Sequence, residues 1–238
     1  MTQLYLCSDI HVCLDNGCFV FLDLGRNKYR GCDRERSRIL ATVLHGWPRG
    51  NQTGPARKID KTTTSYDFED FVKGGVLTPD PISGKIAEPP NVVTPVDTLL
   101  THEDSSASPA GLSDALNFFI AGSWADLALR RKPIDQIVHK IQDRKQRRAD
   151  QLSCFDYEKA QEKVRTFNTL RALYPRKYLC LFDSLALIEF LARFEIFPTW
   201  VFGVKAGPFR AHCWVQEGTT TFNESVDQAE SYTPIMAV

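Results

Sequence analysis

Residues 178–224, YLCLFDSLALIEFLARFEIFPTWVFGVKAGPFRAHCWVQEGTTTFNE, decide how the chain is read. From Tyr178 to Phe194 the pattern is apolar almost all round, broken only by Asp183, Ser184, Glu189 and Arg193, which predicts a central, buried helix. Thr199–Val204 is a buried-strand run. Gly207-Pro208 turns the chain, Phe209–Gln216 alternates as a strand, and Glu217-Gly218 turns it again into Thr219–Phe222. Three more helices are expected upstream. Leu112–Leu129 is apolar. Pro133 can open Ile134–Ala149, whose Ile134, Ile137, Val138 and Ile141 make one stripe. Tyr157–Tyr174 is ended by Pro175. Helices followed by an antiparallel sheet make the class α+β.

This stretch also holds the one pair of residues that suggests chemistry. Cys180 falls in the first turn of the buried helix, where unpaired backbone N–H groups favour a thiolate, and Arg176 and Lys177 just before it point the same way. His212 lies mid-strand, with Arg210 and Trp214 on its face. A cysteine at a helix start and a histidine on a strand are what a thiol nucleophile and its general base require. A third group must orient the imidazole. If Glu217-Gly218 is a tight two-residue turn the register puts Asn223 opposite His212, and a loop one residue longer puts Glu224 there. The bland alternatives are a cysteine used as a small hydrophobe, a strand histidine of the core or surface, and a solvated Glu224. Cys213 points to the other strand face and reads as core. Asp183-Ser184 either faces the site or forms a polar stripe toward solvent.

Outward from that stretch, 238 residues, 43% hydrophobic, suffice for one large domain or two ordinary ones. The 29 basic and 29 acidic residues cancel only in sum. Residues 1–59 carry 9 basic and 5 acidic groups, 60–119 carry 3 and 10, and 130–150 carry 8 and 3. Eight of the 13 prolines fall between Pro48 and Pro109, six of them in the acidic part. This predicts a small module at 1–80, a Pro-rich acidic linker at 81–107 and a large module at 108–238. The small module offers strand pieces at Leu4–Cys7, Cys18–Leu22 and Lys28–Arg30, with turns at Asn16-Gly17 and Gly25–Asn27. Asp33 can cap a helix over Glu35–His45. Ser65 can cap another that carries Phe68, Phe71 and Val72 and ends at Gly74-Gly75; 47–63 reads as loop.

Several classes are disfavoured. No stretch approaches the roughly 20 apolar residues of a membrane span. The N-terminal MTQLYLCSDI has no basic segment before an apolar one, so secretion is not expected. Seven cysteines (7, 13, 18, 32, 154, 180 and 213), an odd number with no CxxC pair, predict a reduced, cytoplasmic chain without a zinc site. His11, His45, His102 and His139 lack metal-ligand spacing and read as solvated. The basic run Arg144–Arg148 reads as a solvated helix face; without interleaved aromatics it makes a poor nucleic-acid site. No metal and no cofactor are expected.

The motifs of the quoted stretch carry a resemblance. A cysteine opening a Ser-Leu-Ala-Leu helix, the I-x-P-T-x-x-x-G-V run from Ile196, the P-F-x-A-H-x-W-V run from Pro208 and Tyr232-x-Pro234 are similar to the leader peptidase (the B protein) of lasso-peptide biosynthesis. That family is a transglutaminase-like, papain-type cysteine protease, and the resemblance covers roughly 105–238. It implies Cys180 as nucleophile, His212 as base and Glu224 as the acidic third member where most relatives have Asp, with Asn223 a papain-like alternative. At Cys213 the family usually has a small residue, often Ala. Residues 1–80 resemble, through Leu22-Asp23-Leu24, Lys28-Tyr29, Arg38-Ile39-Leu40 and Gly75-Val76-Leu77, the winged-helix-like element that recognises precursor peptides in such pathways. This implies that a leader peptide adds a strand beside Lys28-Tyr29 and packs on Phe68 and Phe71. The implied partners are a lasso precursor peptide and an asparagine synthetase-like, ATP-dependent cyclase, with neither nucleic acid nor membrane. An acyl transferase of the same fold and a non-catalytic peptide-binding adaptor are the alternatives.

Overall fold

The computed structural model describes residues 3–48, 68–100, 111–149 and 155–238. Contacts divide the chain into two units. The first is Met1–Pro90 with Val204–Arg210 and Thr233–Met236; the second is Asn91–Gly203 with Ala211–Tyr232 and Ala237–Val238.

In chain order the first unit holds β1 (Tyr5–Leu6), β2 (Ile10–Asp15), β3 (Cys18–Asp23), β4 (Lys28–Gly31), α1 (Arg34–Val43), α2 (Glu69–Lys73) and β5 (Leu77–Thr78). Asn16 and Gly17 both take positive φ, 47° and 77°, and Asp15 pairs with Cys18, so a two-residue turn sets the β2–β3 register. That turn corrects the expectation for Leu4–Cys7. The partner it demands is Ile10–Asp15, which the sequence reading passed over, while β1 pairs with β5. The three-stranded order β2-β3-β4 leaves β4 at an edge. Asp33 caps α1 by accepting the Arg36 N–H at 2.9 Å. Leu40 and Val43 of α1 share a core with Ile10, Val12, Phe19, Phe21, Phe68 and Phe71. Ser37 on the same helix is buried and satisfied: its Oγ accepts the Phe19 N–H at 2.8 Å and donates to the Cys32 carbonyl at 3.1 Å. Ser65 and most of the expected 47–63 loop lie outside the described residues.

The second unit adds β6 (Asp97–Thr98), α3 (Leu112–Arg131), α4 (Ile134–Ala149), α5 (Tyr157–Arg171), α6 (Cys180–Ala192), β7 (Thr199–Ala206), β8 (Phe209–Glu217), β9 (Thr220–Thr221), α7 (Val226–Glu230) and β10 (Thr233–Ala237), with β7, β8 and β10 crossing the division. Helix α6 packs chiefly on α3 and α5. Phe118 stands edge-on to Phe167 and Phe190 there, at 5.3 and 6.4 Å between ring centres. The five-stranded sheet runs β10-β7-β8-β9-β6.

The expected purely antiparallel sheet is corrected by β6, which pairs parallel with β9. This strand comes from the stretch read as linker. Prolines there exclude long strands, yet Val96-Asp97 still donate both N–H groups to the Thr219 carbonyl. Helix α5 stops at Arg171, three residues before the expected end, because its last carbonyls take the tighter bonds from Leu173 and Tyr174. The run Arg144–Arg148 is not wholly solvated. Arg144 holds both oxygens of Glu189 at 2.9 and 3.0 Å, and Lys145 donates to Thr199 Oγ1 at 2.9 Å. The long stems of both side chains carry their charges to partners on α6 and β7.

Candidate active site

Cys180 is the first residue of α6, after Leu179 in extended conformation. The turn is held from inside. Asp183 accepts the Leu179 N–H at 2.6 Å, one half of a capping box, and pairs with the Arg171 guanidinium. Arg171, 3% exposed, also donates to the carbonyls of Tyr174, Arg176 and Lys177, so one buried side chain fixes the loop that delivers Cys180. Of the two cations expected to favour the thiolate, Arg176 is engaged by Asp126 instead. The polar pair Asp183-Ser184 does not form a solvent stripe: Ser184 is fully buried.

His212 on β8 meets Glu224 just past β9, with Nε2 2.6 Å from Glu224 Oε2. The hairpin turn fits neither expected register: strand pairing ends at Thr221, and if it continued it would set residue 225 opposite His212. Glu217 pairs with Thr220, so the two-residue loop is Gly218-Thr219, one residue later than expected, with Gly218 at φ 54°. Asn223 then accepts the Val215 N–H at 2.8 Å, and its side chain is committed to the backbone. Glu224 is fixed in turn. Its carbonyl accepts from Thr98 Oγ1 at 2.8 Å and Thr221 Oγ1 at 2.5 Å, and its Oε1 accepts the Ser225 N–H at 3.0 Å. Thr98 belongs to β6, so the expected linker supplies part of the site. The imidazole lies beside the rings of Tyr232 and Trp214, 5.1 and 6.2 Å away. Gly203 makes room for both: a Cβ there would come within 2.8 Å of the Trp214 ring and 2.9 Å of Tyr232 Cβ.

With Nε2 on Glu224, Nδ1 is the nitrogen left for the Cys180 thiol, which the imidazole contacts. The bond to the Cys213 thiol first, then the imidazole, bring the Cys180 pKa down to about 4 despite half-burial. Burial alone would lower the His212 value; its bonds to Cys180 and Glu224 outweigh this and raise it to about 9. Cys180 and His212 are therefore a thiolate and an imidazolium near neutrality, a nucleophile beside a general acid. Cys7, Cys13 and Cys32 go the other way, pushed up by burial, Cys13 to about 12.

Cys213 is core, as expected: it is 3% exposed, and its Sγ lies 3.3 Å from the buried Ser184 Oγ.

This constellation lies within a region with a family match: residues 125–237 match the transglutaminase-like superfamily. That region is a transglutaminase-like domain. The superfamily usually carries a Cys-His-Asp triad; the carboxylate that meets His212 here is that of Glu224. Neither a curated protein nor a solved structure matches the chain. The match of the transglutaminase-like domain starts inside α3, so β6 and its Thr98 stand outside it.

The residues expected to grip a leader lie in the other unit. Lys28 is exposed on the β4 edge, and the Tyr29 ring lies 5.3 Å from that of Phe209. Phe68 and Phe71 are corrected from contact residues to core: they are 1% and 2% exposed. The Arg36 guanidinium covers both rings and that of Arg30 covers Phe71, because two aromatics on one short helix face are better buried than offered to water. Among the described residues no group of three His, Cys, Asp or Glu is placed to hold a metal ion, and no helix is long and apolar enough to cross a membrane. His45 stacks on Tyr5 at 4.8 Å and is half-buried, not solvated. His102 and Cys154 lie outside the described residues.

Proposed function

We propose that this protein is a cysteine peptidase that binds the leader of a ribosomally made lasso precursor and cleaves it at the leader–core junction. The observation that carries the peptidase reading is the Cys180–His212–Glu224 constellation; the substrate class rests on the motifs around Cys180 and His212. The Cys180 thiolate attacks the junction carbonyl. As the C–N bond breaks, the proton on His212 Nδ1 passes to the departing nitrogen, which becomes the free amine of the core. Water then attacks the thioester, His212 takes its proton, and the C–S bond breaks to return the thiolate. Glu224 holds the ring and stabilises its charge throughout. In this reading the Cys180 N–H, one of the first-turn donors that a helix cannot satisfy internally, donates to the oxyanion.

In this reading the first unit is the precursor recognition element. The leader adds a strand to the β4 edge at Lys28 and Tyr29 and runs over the guanidinium groups of Arg30 and Arg36 that cover Phe68 and Phe71. The freed amine is then substrate for an asparagine synthetase-like cyclase, and the peptidase acts in the cytoplasm.

Mass spectrometry of precursor incubated with the purified chain tests this. A leader with a free carboxylate and a core with a free amine are expected. A cross-linked leader would assign acyl transfer instead, since the transglutaminase-like fold serves both reactions. Cys180→Ala is expected to abolish cleavage and keep precursor binding. Unchanged cleavage in that variant would leave only the adaptor reading.

A further inference from the structure

A ring nitrogen makes its hydrogen bond in the plane of the ring, so Glu224, 2.6 Å from Nε2, holds the His212 imidazole by an edge and does nothing for its faces. Toward those faces stand aromatic side chains. The Tyr232 ring centre lies 5.1 Å from that of the imidazole with 34° between the planes, and the Trp214 indole lies 6.2 Å away at 24°. Rings this close and this nearly parallel meet as an offset stack, face toward face.

Both rings are tightly held. Tyr232 and Trp214, 8% and 1% exposed, form one apolar cluster with Val201 and Ala229, against which Val92 packs. Trp214 is also fixed by its polar end. Its Nε1 donates to Gln216 Oε1 at 2.7 Å, and the Gln216 amide donates to the Val93 and Gly218 carbonyls, each at 2.9 Å. His212, Trp214 and Gln216 alternate along β8 and so share one face of the sheet.

The two rings differ in what they offer a charge. A cation is drawn to the face of an aromatic ring within about 6 Å of its centre, and more strongly where water is excluded. Tyr232 lies inside that distance and Trp214 just beyond it. A neutral imidazole gains nothing comparable, so the contact favours the protonated ring. We propose that Tyr232 is a positioning residue for the nucleophile's partner: its ring face keeps His212 protonated and in the plane that meets Glu224, and Trp214, locked by Gln216, is the wall that holds Tyr232 there. Other charges around the imidazole do not replace this contact. Glu224 and Cys180 act at its edges, and Asp183, in the first turn of α6, is paired with Arg171. Arg210 on β8 and Asp227 and Glu230 on α7 are exposed, and β7 carries no charge from Thr199 to Val204.

The inference rests on the Cys–His reading of the site, and the test keeps the two apart. The His212 imidazole is titrated by NMR in the full chain, its signal identified among the five histidines as the one a His212→Gln chain lacks. Alkylation of Cys180 by iodoacetamide, followed by mass spectrometry from pH 3 to 9, reads the other partner. The same measurements are made on Tyr232→Phe, on Tyr232→Leu and on a chain carrying pentafluorophenylalanine at 232, whose ring keeps its shape while its face turns positive. Near-ultraviolet circular dichroism shows at each pH that the chain is folded. The parent is expected to give a His212 midpoint of about 9, and Tyr232→Phe to keep it, since the face remains. Tyr232→Leu and the fluorinated chain are expected to lower it by about 0.5–1 unit, with the Cys180 midpoint moving up as the imidazolium weakens. Should Tyr232→Leu fail to fold, the Phe and fluorinated chains decide. A fluorinated chain that overlays Tyr232→Phe overturns the proposal, and so does a Phe variant that falls as far as the fluorinated one, because the hydroxyl and not the face is then at work. Ordinary histidine and thiol midpoints in the parent overturn the site itself and this inference with it.

Discussion

In the first unit, charge other than that of Asp23 stays near the rim. Phe21, Phe68 and Phe71 form an apolar cluster, the guanidinium groups of Arg30 and Arg36 lie over its outer rings, and Asp70 pairs with Arg36 at 2.6 Å. Around α6 charge goes inside: Arg171, Asp183, Arg144 and Glu189 are buried or nearly so among equally apolar neighbours, and each pair meets at hydrogen-bond distance. Burying ions is costly unless every partner is present. The second region bears that cost at Arg171 and Asp183, which set the backbone of the Cys180 turn. The first has no such chemistry to support, and its polar groups are free to serve an edge strand.

That contrast predicts separable damage. The largest effect is expected from Glu224→Gln, which keeps shape and removes the charge facing the imidazolium. Precursor cleavage should fall by roughly 10²–10⁴-fold in a single-turnover assay, with leader affinity unchanged. The upper arm of its pH profile, set by His212 near pH 9 in the parent, should move to lower pH, because a raised histidine pKa loses its support when the carboxylate goes. A profile with the same upper arm would mean that Glu224 does not act through His212.

Phe71→Ala removes the most enclosed ring of α2 and should destabilise the first unit by about 3–5 kcal/mol. Amide exchange is expected to quicken in β2–β4 and precursor binding to fail, while the Cys180 alkylation profile stays as in the parent. Loss of that profile as well would show that the two regions are not energetically separate. The smallest effect is expected from Lys28→Glu at the exposed edge: leader affinity reduced by less than about tenfold, and less so in 0.5 M salt, since rim charges act through screened fields. No change at any salt concentration would move the leader away from β4.

How much of this was legible in the sequence differs by element. Ile134–Ala149 was readable to the residue, since Pro133 marks its start and one apolar stripe its face. The Asn16-Gly17 pair announced a hairpin, though its first strand, Ile10–Asp15, was missed; the turn itself was the signal that should have found it. Ser184 and Cys213 stood in the quoted stretch, but a polar residue in an apolar run and a cysteine in a strand have the same spelling whether they are packed filler or partners in a hydrogen bond.

Local pattern by itself determined the α+β class, the buried α6, and the placement of Cys180 at a helix start and His212 on a strand, because periodicity and turn chemistry act over a few residues. Only the tertiary structure decided that Glu224 and not Asn223 faces the imidazole, that Thr98 from a Pro-rich stretch helps to hold it, and that the Cys213 sulfur meets Ser184. Each of these depends on where a strand ends or which side of a backbone a sulfur rests on. A shift of one residue in register reverses the answer, and no local rule of sequence carries that precision.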